Sequence, residues 1–116
     1  MVTIDSNKED LNLLIKVSGD VDASSSIHLD NALEEAVENQ ENKIVVDCTD
    51  LNYISSAGLG VFMSYIQEFE SNDVQMILYG MNPKVKNTFE ILGLDQLLKI
   101  TDDKEQALAL LKWQTD

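Results

Sequence analysis

The sequence predicts an α/β fold: a mixed sheet of about five strands opened by an antiparallel hairpin, with about four helices, in the order ββαβαβαβα. Three observations lead there. Residues 2–18 hold two apolar stretches either side of the polar Asn7-Lys8-Glu9-Asp10, the pattern of a hairpin. After Gly19, short β-branched or apolar runs alternate with longer stretches of helical period. Each helical stretch opens on Ser, Asp, Asn or Thr, residues that cap free backbone N–H groups. Strands alternating with helices imply parallel neighbours joined by right-handed crossovers.

Along the chain, Val2 and Ile4 alternate with Thr3 and Asp5, Leu11 to Val17 return, and Gly19 is expected to end the hairpin. The first helix is expected over 24–39, with Leu29, Ala32, Leu33, Ala36 and Val37 inward and Asp30, Glu34, Glu35 and Glu38 in solvent. A strand over 43–48 leads through a polar loop to a helix running from the serines to about Glu70. Its spacing puts Leu59, Phe62, Met63, Ile66 and Phe69 on the core face. Residues 74–79 read as a strand, and Asn82-Pro83 as a helix start, with Asn as cap and Pro at the first helical position. Val85, Phe89 and Leu92 face inward, Gly93 supplies the left-handed end, and Leu94 folds back. Leu97 to Ile100 make a short strand, and Thr101-Asp102-Asp103 cap a last helix to about Lys112, with Trp113 packing near its end.

The 116 residues suit a single domain spanning 1–116. Eight basic against 21 acidic residues give a net charge of −13, with no basic stripe, so nucleic acid and anionic lipid are poor partners. No apolar stretch is long enough to span a bilayer and no basic leader precedes one, so no membrane insertion is expected and the cytoplasm is the expected location. A monomer is the expected state of so acidic a small domain. The lone Cys48 is expected as a buried thiol, and with a single His28, placed on a helix surface, a His/Cys metal site is excluded.

Candidate chemistry gathers at 45–60. Ser55 and Ser56 stand where a helix begins, followed by Gly58 and Gly60, each of which costs roughly 1 kcal/mol of helix propensity. Bare backbone there allows close approach of another surface, and a serine hydroxyl can be a cap, a nucleophile or a phosphate acceptor. A hydrolase triad is disfavoured because His28 lies off the site. Phosphate-loop and dinucleotide motifs are absent, and no cofactor is expected. Asp20, Asp22, Asp47 and Asp50 have the oxygen donors that Mg²⁺ favours, but acidic residues at strand ends more often cap or stay solvated, so no metal is assigned.

Four separated segments resemble the STAS domain of bacterial anti-sigma-factor antagonists: Gly19-Asp20-Val21-Asp22, Val45-Val46-Asp47, Tyr53 through Leu59, and Ile91 through Ile100. The likeness spans essentially the whole chain and implies a STAS-like sheet. It also implies that Ser56, the serine before Ala57-Gly58-Leu59, is phosphorylated by a serine kinase that doubles as the anti-sigma factor, and restored by a PP2C-type phosphatase. The family often has Asp-Ser-Ser/Thr-Gly, whereas Ser55 replaces the aspartate here and is the alternative acceptor. On this reading the protein is not an enzyme. Gly58, Leu59, Gly60 and Val61 face the partner, with Tyr65 either on the same flank or half-buried, while Asp22 and Asp47 orient the serine. Two other readings are a STAS accessory subunit of a transporter or lipid-export ATPase, and a receiver-like domain phosphorylated on Asp50, which the strand count disfavours.

Overall fold

The computed structural model describes residues 2–113. Strands β1 (Val2–Glu9) and β2 (Asn12–Val21) form the expected hairpin, paired antiparallel with Ile4 opposite Val17 and Ser6 opposite Ile15. Its turn is tighter than expected, because Asp10 takes a positive φ of 54° that lets the strands run on to Glu9 and Asn12. There follow α1 (Ser26–Glu38), β3 (Lys43–Asp47), β4 (Leu51–Ile54), α2 (Ser56–Ser71), β5 (Gln75–Tyr79), α3 (Pro83–Ile91), β6 (Lys99–Thr101) and α4 (Lys104–Trp113). The α/β class and its mixed sheet are thus as predicted, with six strands among the described residues instead of five.

The extra strand is β4, in the stretch expected as a polar loop. Its burial pattern is buried at Leu51 and Ile54 and exposed at Asn52 and Tyr53, so the two-residue alternation of a strand is missing. What makes it a strand is β2. This ten-residue strand pairs parallel with β3 over Leu13–Lys16, then with β4 over Gly19–Val21. The register shifts between Gly19 and Asp20, where Gly19 takes a φ of +90°. Gly19 therefore bends the strand instead of ending it. The remaining sheet runs β1-β2-β3-β5-β6, all parallel beyond the hairpin.

Helices cover both faces unequally. One face of β2, β3 and β5 (Ile15, Val17, Ile44, Val46, Met76, Leu78) packs under α1, α2 and α3 through Leu29, Leu33, Phe62, Phe69, Val85 and Phe89. The other face (Val45, Ile77, Tyr79) packs under α4 through Ala107 and Leu111. Burial on both sides is why β3 and β5 read as continuous apolar runs. Helix starts follow their capping residues: Asn82 Oδ1 accepts from Val85 N at 2.8 Å and Asp103 Oδ1 from Gln106 N at 2.9 Å. Gly93, at φ +74°, ends α3 as expected, and Leu94 folds back into the core.

Three expectations are corrected. Met63 is 49% exposed while Tyr65 is buried: the helix turns its Tyr65–Phe69 flank inward, and Ile66 packs half-buried against the core as expected. Leu92 is 55% exposed because α3 has already ended, its core contact being supplied by Leu94. The strand expected from Leu97 begins at Lys99, after a 3₁₀ turn over Leu94–Gln96. The Trp113 expectation concerns a side chain outside the described residues.

Cys48 is fully buried at the end of β3, and burial pushes its thiol up to about 12. In the native protein Cys48 is expected to resist a thiol reagent such as DTNB and to react only as urea unfolds the chain. Rapid stoichiometric labelling without denaturant would contradict the packing at β3.

Candidate functional site

The two adjacent serines have different jobs. Ser55 is the N-cap of α2, its extended backbone at φ −84° and ψ 170°, and its Oγ accepts from Gly58 N at 3.2 Å. Its N–H donates to Val21 O at 2.8 Å, which ties the start of α2 to the end of β2. Ser56, the first helical residue, is exposed, and its hydroxyl makes no hydrogen bond among the described residues. The first intrahelical bond runs from Leu59 N to Ser55 O, so the N–H groups of Ser56 and Ala57 precede it and point out of the helix end.

The glycines of this turn also differ. A Cβ on Gly58 would lie 2.8 Å from both Ile54 Cγ1 and Val21 Cγ1, because α2 begins directly against the ends of β4 and β2. Gly58 and Leu59 are both buried, so neither belongs to the exposed surface expected of them. Gly60 has nothing within 4 Å of its Cβ position and is exposed, and Val61 is half-buried. Only Gly60 is unexplained by packing.

Asp22 directly follows the β2 residue that holds Ser55, so the sheet does bring it to the serines. Its Oδ1 accepts from Ser25 Oγ at 2.8 Å, Ser25 N at 2.9 Å and Ser24 Oγ at 2.9 Å, while Ser25 Oγ accepts from Asp22 N at 2.9 Å. The Ser25 and Ser24 donors hold the carboxyl at about 2. Asp47 is placed elsewhere. It pairs with Lys16 in register, five residues before Val21 along β2, or about 17 Å at strand spacing. Burial pushes its carboxyl up, but the Thr49 hydroxyl and N–H, at 2.7 and 2.9 Å, with the Tyr79 hydroxyl, outweigh that and leave it below the usual range. Asp47 thus braces the β3–β4 turn and lies apart from the serines.

A family model described as the STAS domain matches residues 3–107. The chain belongs to the STAS domain family. An anti-sigma-B factor antagonist of Staphylococcus aureus is 25% identical over 104 residues, 90% of this chain and 96% of that protein. The crystal structure of an anti-sigma factor antagonist from Mycobacterium paratuberculosis superposes with a TM-score of 0.88 at 18% identity, covering 97% of this chain and 95% of that one. The phosphorylated form of the Bacillus cell fate determinant SpoIIAA gives 0.71 at 17% identity, over 94% and 99% of the two chains. These structural likenesses establish the STAS fold, including the hairpin-opened mixed sheet.

On this STAS domain, two exposed apolar residues escaped the sequence reading. Met63 lies seven residues after Ser56 and three after Gly60, hence on the same outer stripe of α2, and is 49% exposed. Ile27, in the first turn of α1, is 57% exposed. Tyr65 ties the two helices together, its hydroxyl donating to Asp30 Oδ1 at 3.0 Å and Asp30 O at 3.2 Å. Burial and the Asp30 carboxylate raise the phenol well above its ordinary value. Ile27 stands one turn before Asp30 on α1, and Val61 one turn before Tyr65 on α2. The helical period of the apolar residues gave Met63 to the core; only its unpartnered position shows otherwise.

The two glycines are expected to respond in opposite directions. Gly58→Ala drives a methyl into stiff β-branched neighbours and should cost about 1–3 kcal/mol in urea unfolding, whereas Gly60→Ala should leave stability unchanged or raise it by up to about 1 kcal/mol. For Asp22, whose folded carboxyl titrates at about 2 against an ordinary 3.8, stability is complete above pH 3.8 and is lost as pH falls toward 2. Carboxyl NMR titration should place its midpoint near 2, and Ser25→Ala should move that midpoint upward.

Proposed function

We propose that this STAS domain is an anti-sigma factor antagonist switched by phosphorylation of Ser56. The observation that carries the reading is the division of labour at α2: Ser55 is engaged by Gly58 N and Val21 O, while the Ser56 hydroxyl is exposed and unengaged. The relative in Staphylococcus aureus named as an anti-sigma-B factor antagonist supports the same reading. Ser56 is the acceptor and Ser55 the cap. Unphosphorylated, the surface of Ser56, Gly60, Val61 and Met63, with Ile27 of α1, docks on a serine kinase that is also the anti-sigma factor and so frees the sigma factor.

A phosphate on Ser56 adds about −1.5 to −2 charges at the centre of that surface, close to Asp22. Like charges and desolvation there cost several kcal/mol, more than the ~1.4 kcal/mol that changes affinity tenfold. The N–H groups at the start of α2 hold the phosphate in place, so the backbone need not move. A PP2C-type phosphatase then resets the switch. Gly60 leaves the helix backbone open to close approach of the kinase.

Intact-mass and peptide mass spectrometry of protein from its own host tests the assignment. A single phosphate is expected on Ser56, absent in Ser56→Ala and retained in Ser55→Ala. Ser56→Asp is expected to weaken capture of the kinase by at least tenfold while Ser56→Ala binds as the unmodified protein does. Phosphate confined to Ser55 or Asp50 would move the acceptor, and none under any growth condition, with an ATPase co-purifying, would replace the switch by an accessory-subunit role.

A further inference from the structure

The two ends of the β1-β2-β3-β5-β6 order are unequal. β6 offers three residues, a length too short to template another strand. β1 offers eight, with no proline and no bulge, and among the described residues it pairs with β2 alone. Of its charged residues Lys8 is paired with Glu41 and Glu9 with Lys104, which leaves Asp5 as the one charge of the edge unpaired among the described residues. Natural sheets normally blunt such an edge. Beside it, α1 returns from the end of β2 and so runs in the same direction as β1. The groove between them is lined by Val2, Ile4 and Ser6 from the strand and by His28, Asn31 and Glu35 from the helix. Val2 and Ile4 are half-buried against the core, and the side chains of His28 and Glu35 have no partner among the described residues.

This surface is complementary to itself. An antiparallel pairing of two β1 strands about a twofold axis at Ile4 sets Ile4 against Ile4, Thr3 against Asp5 and Val2 against Ser6 of the second copy. Because His28 lies at the Val2 end of the groove and Glu35 at the Ser6 end, the same axis brings each His28 toward Glu35 of the other copy, with the two Asn31 side chains at the centre. No like charges oppose each other in that register. Shifting the centre to Asp5 would set two carboxylates face to face.

We propose that β1 pairs with β1 of a second copy in this register, joining two sheets into one with α1 beside α1. The contact is small, and each copy carries a net charge of −13, so the dimer is weak, forms at high concentration and tightens as salt screens the repulsion. It lies across β2 from Ser56, leaving the α2 surface of both copies free, and does not depend on the phosphorylation reading.

Thr3 tests the register at an exposed position whose replacement does not touch the core. Sedimentation equilibrium from micromolar to millimolar protein, at low and high salt, should show a reversible monomer–dimer equilibrium. Thr3→Asp, which faces Asp5 of the second copy twice, should raise the dimer Kd by about fivefold or more, and Thr3→Lys should lower it by a similar factor. Hydrogen exchange should show β1 amides gaining protection with concentration. A monomer throughout that range, or a dimer indifferent to both substitutions, overturns the proposal.

Discussion

The start of α2 is packed onto the ends of two strands with no space to spare, and the arrangement of the site depends on that contact. Gly58 meets Val21 and Ile54 where one methyl more would clash, and Ser55 N is bonded to Val21 O. These constraints exist because β2 is long enough to hold β3 and then, past the bend at Gly19, β4. Take away the bend and β4 loses its partner; without β4, α2 has no floor. The position of Ser56 is set by backbone packing two elements deep, so a charge can be added to its hydroxyl without disturbing what holds it.

That separation of support from surface recurs in the side chains. Ser55, Gly58 and Leu59 face inward or bond inward, and Ser56, Gly60 and Met63 face outward from the same two turns. Asp22 straddles the division: it neighbours the serines, yet its Oδ1 is taken by Ser24 and Ser25, which shape the entry to α1. A new phosphate would find a carboxylate nearby that stays ionised at every physiological pH.

Far from the serines, the same economy is visible at β3. Asp47 accepts from Thr49 and from the Tyr79 hydroxyl around the turn into β4, and Gly80, at φ +80°, lets β5 end hard against Thr49. An acidic residue at a strand end proves here to be scaffold. The likeness of Asp22 and Asp47 in sequence, each an aspartate after a β-branched residue at the end of a strand, hides that one borders the site and the other does not.

The sequence by itself determined whatever depends on local backbone preference and on burial of one face: the hairpin, the four helices with their Asn82 and Asp103 caps, the left-handed Gly93, the buried Cys48, and serines at a helix start. Those signals are carried by neighbours within a turn or a strand, so a single chain displays them. Tertiary structure alone decided that Leu51–Ile54 is a strand, that Gly19 bends one, that Met63 is outside and Tyr65 inside, and that Asp47 is remote. Each of those depends on which strand lies alongside and which helix lies above. Contacts between residues distant in sequence choose among placements that local chemistry leaves equal in energy, and only the folded chain contains them.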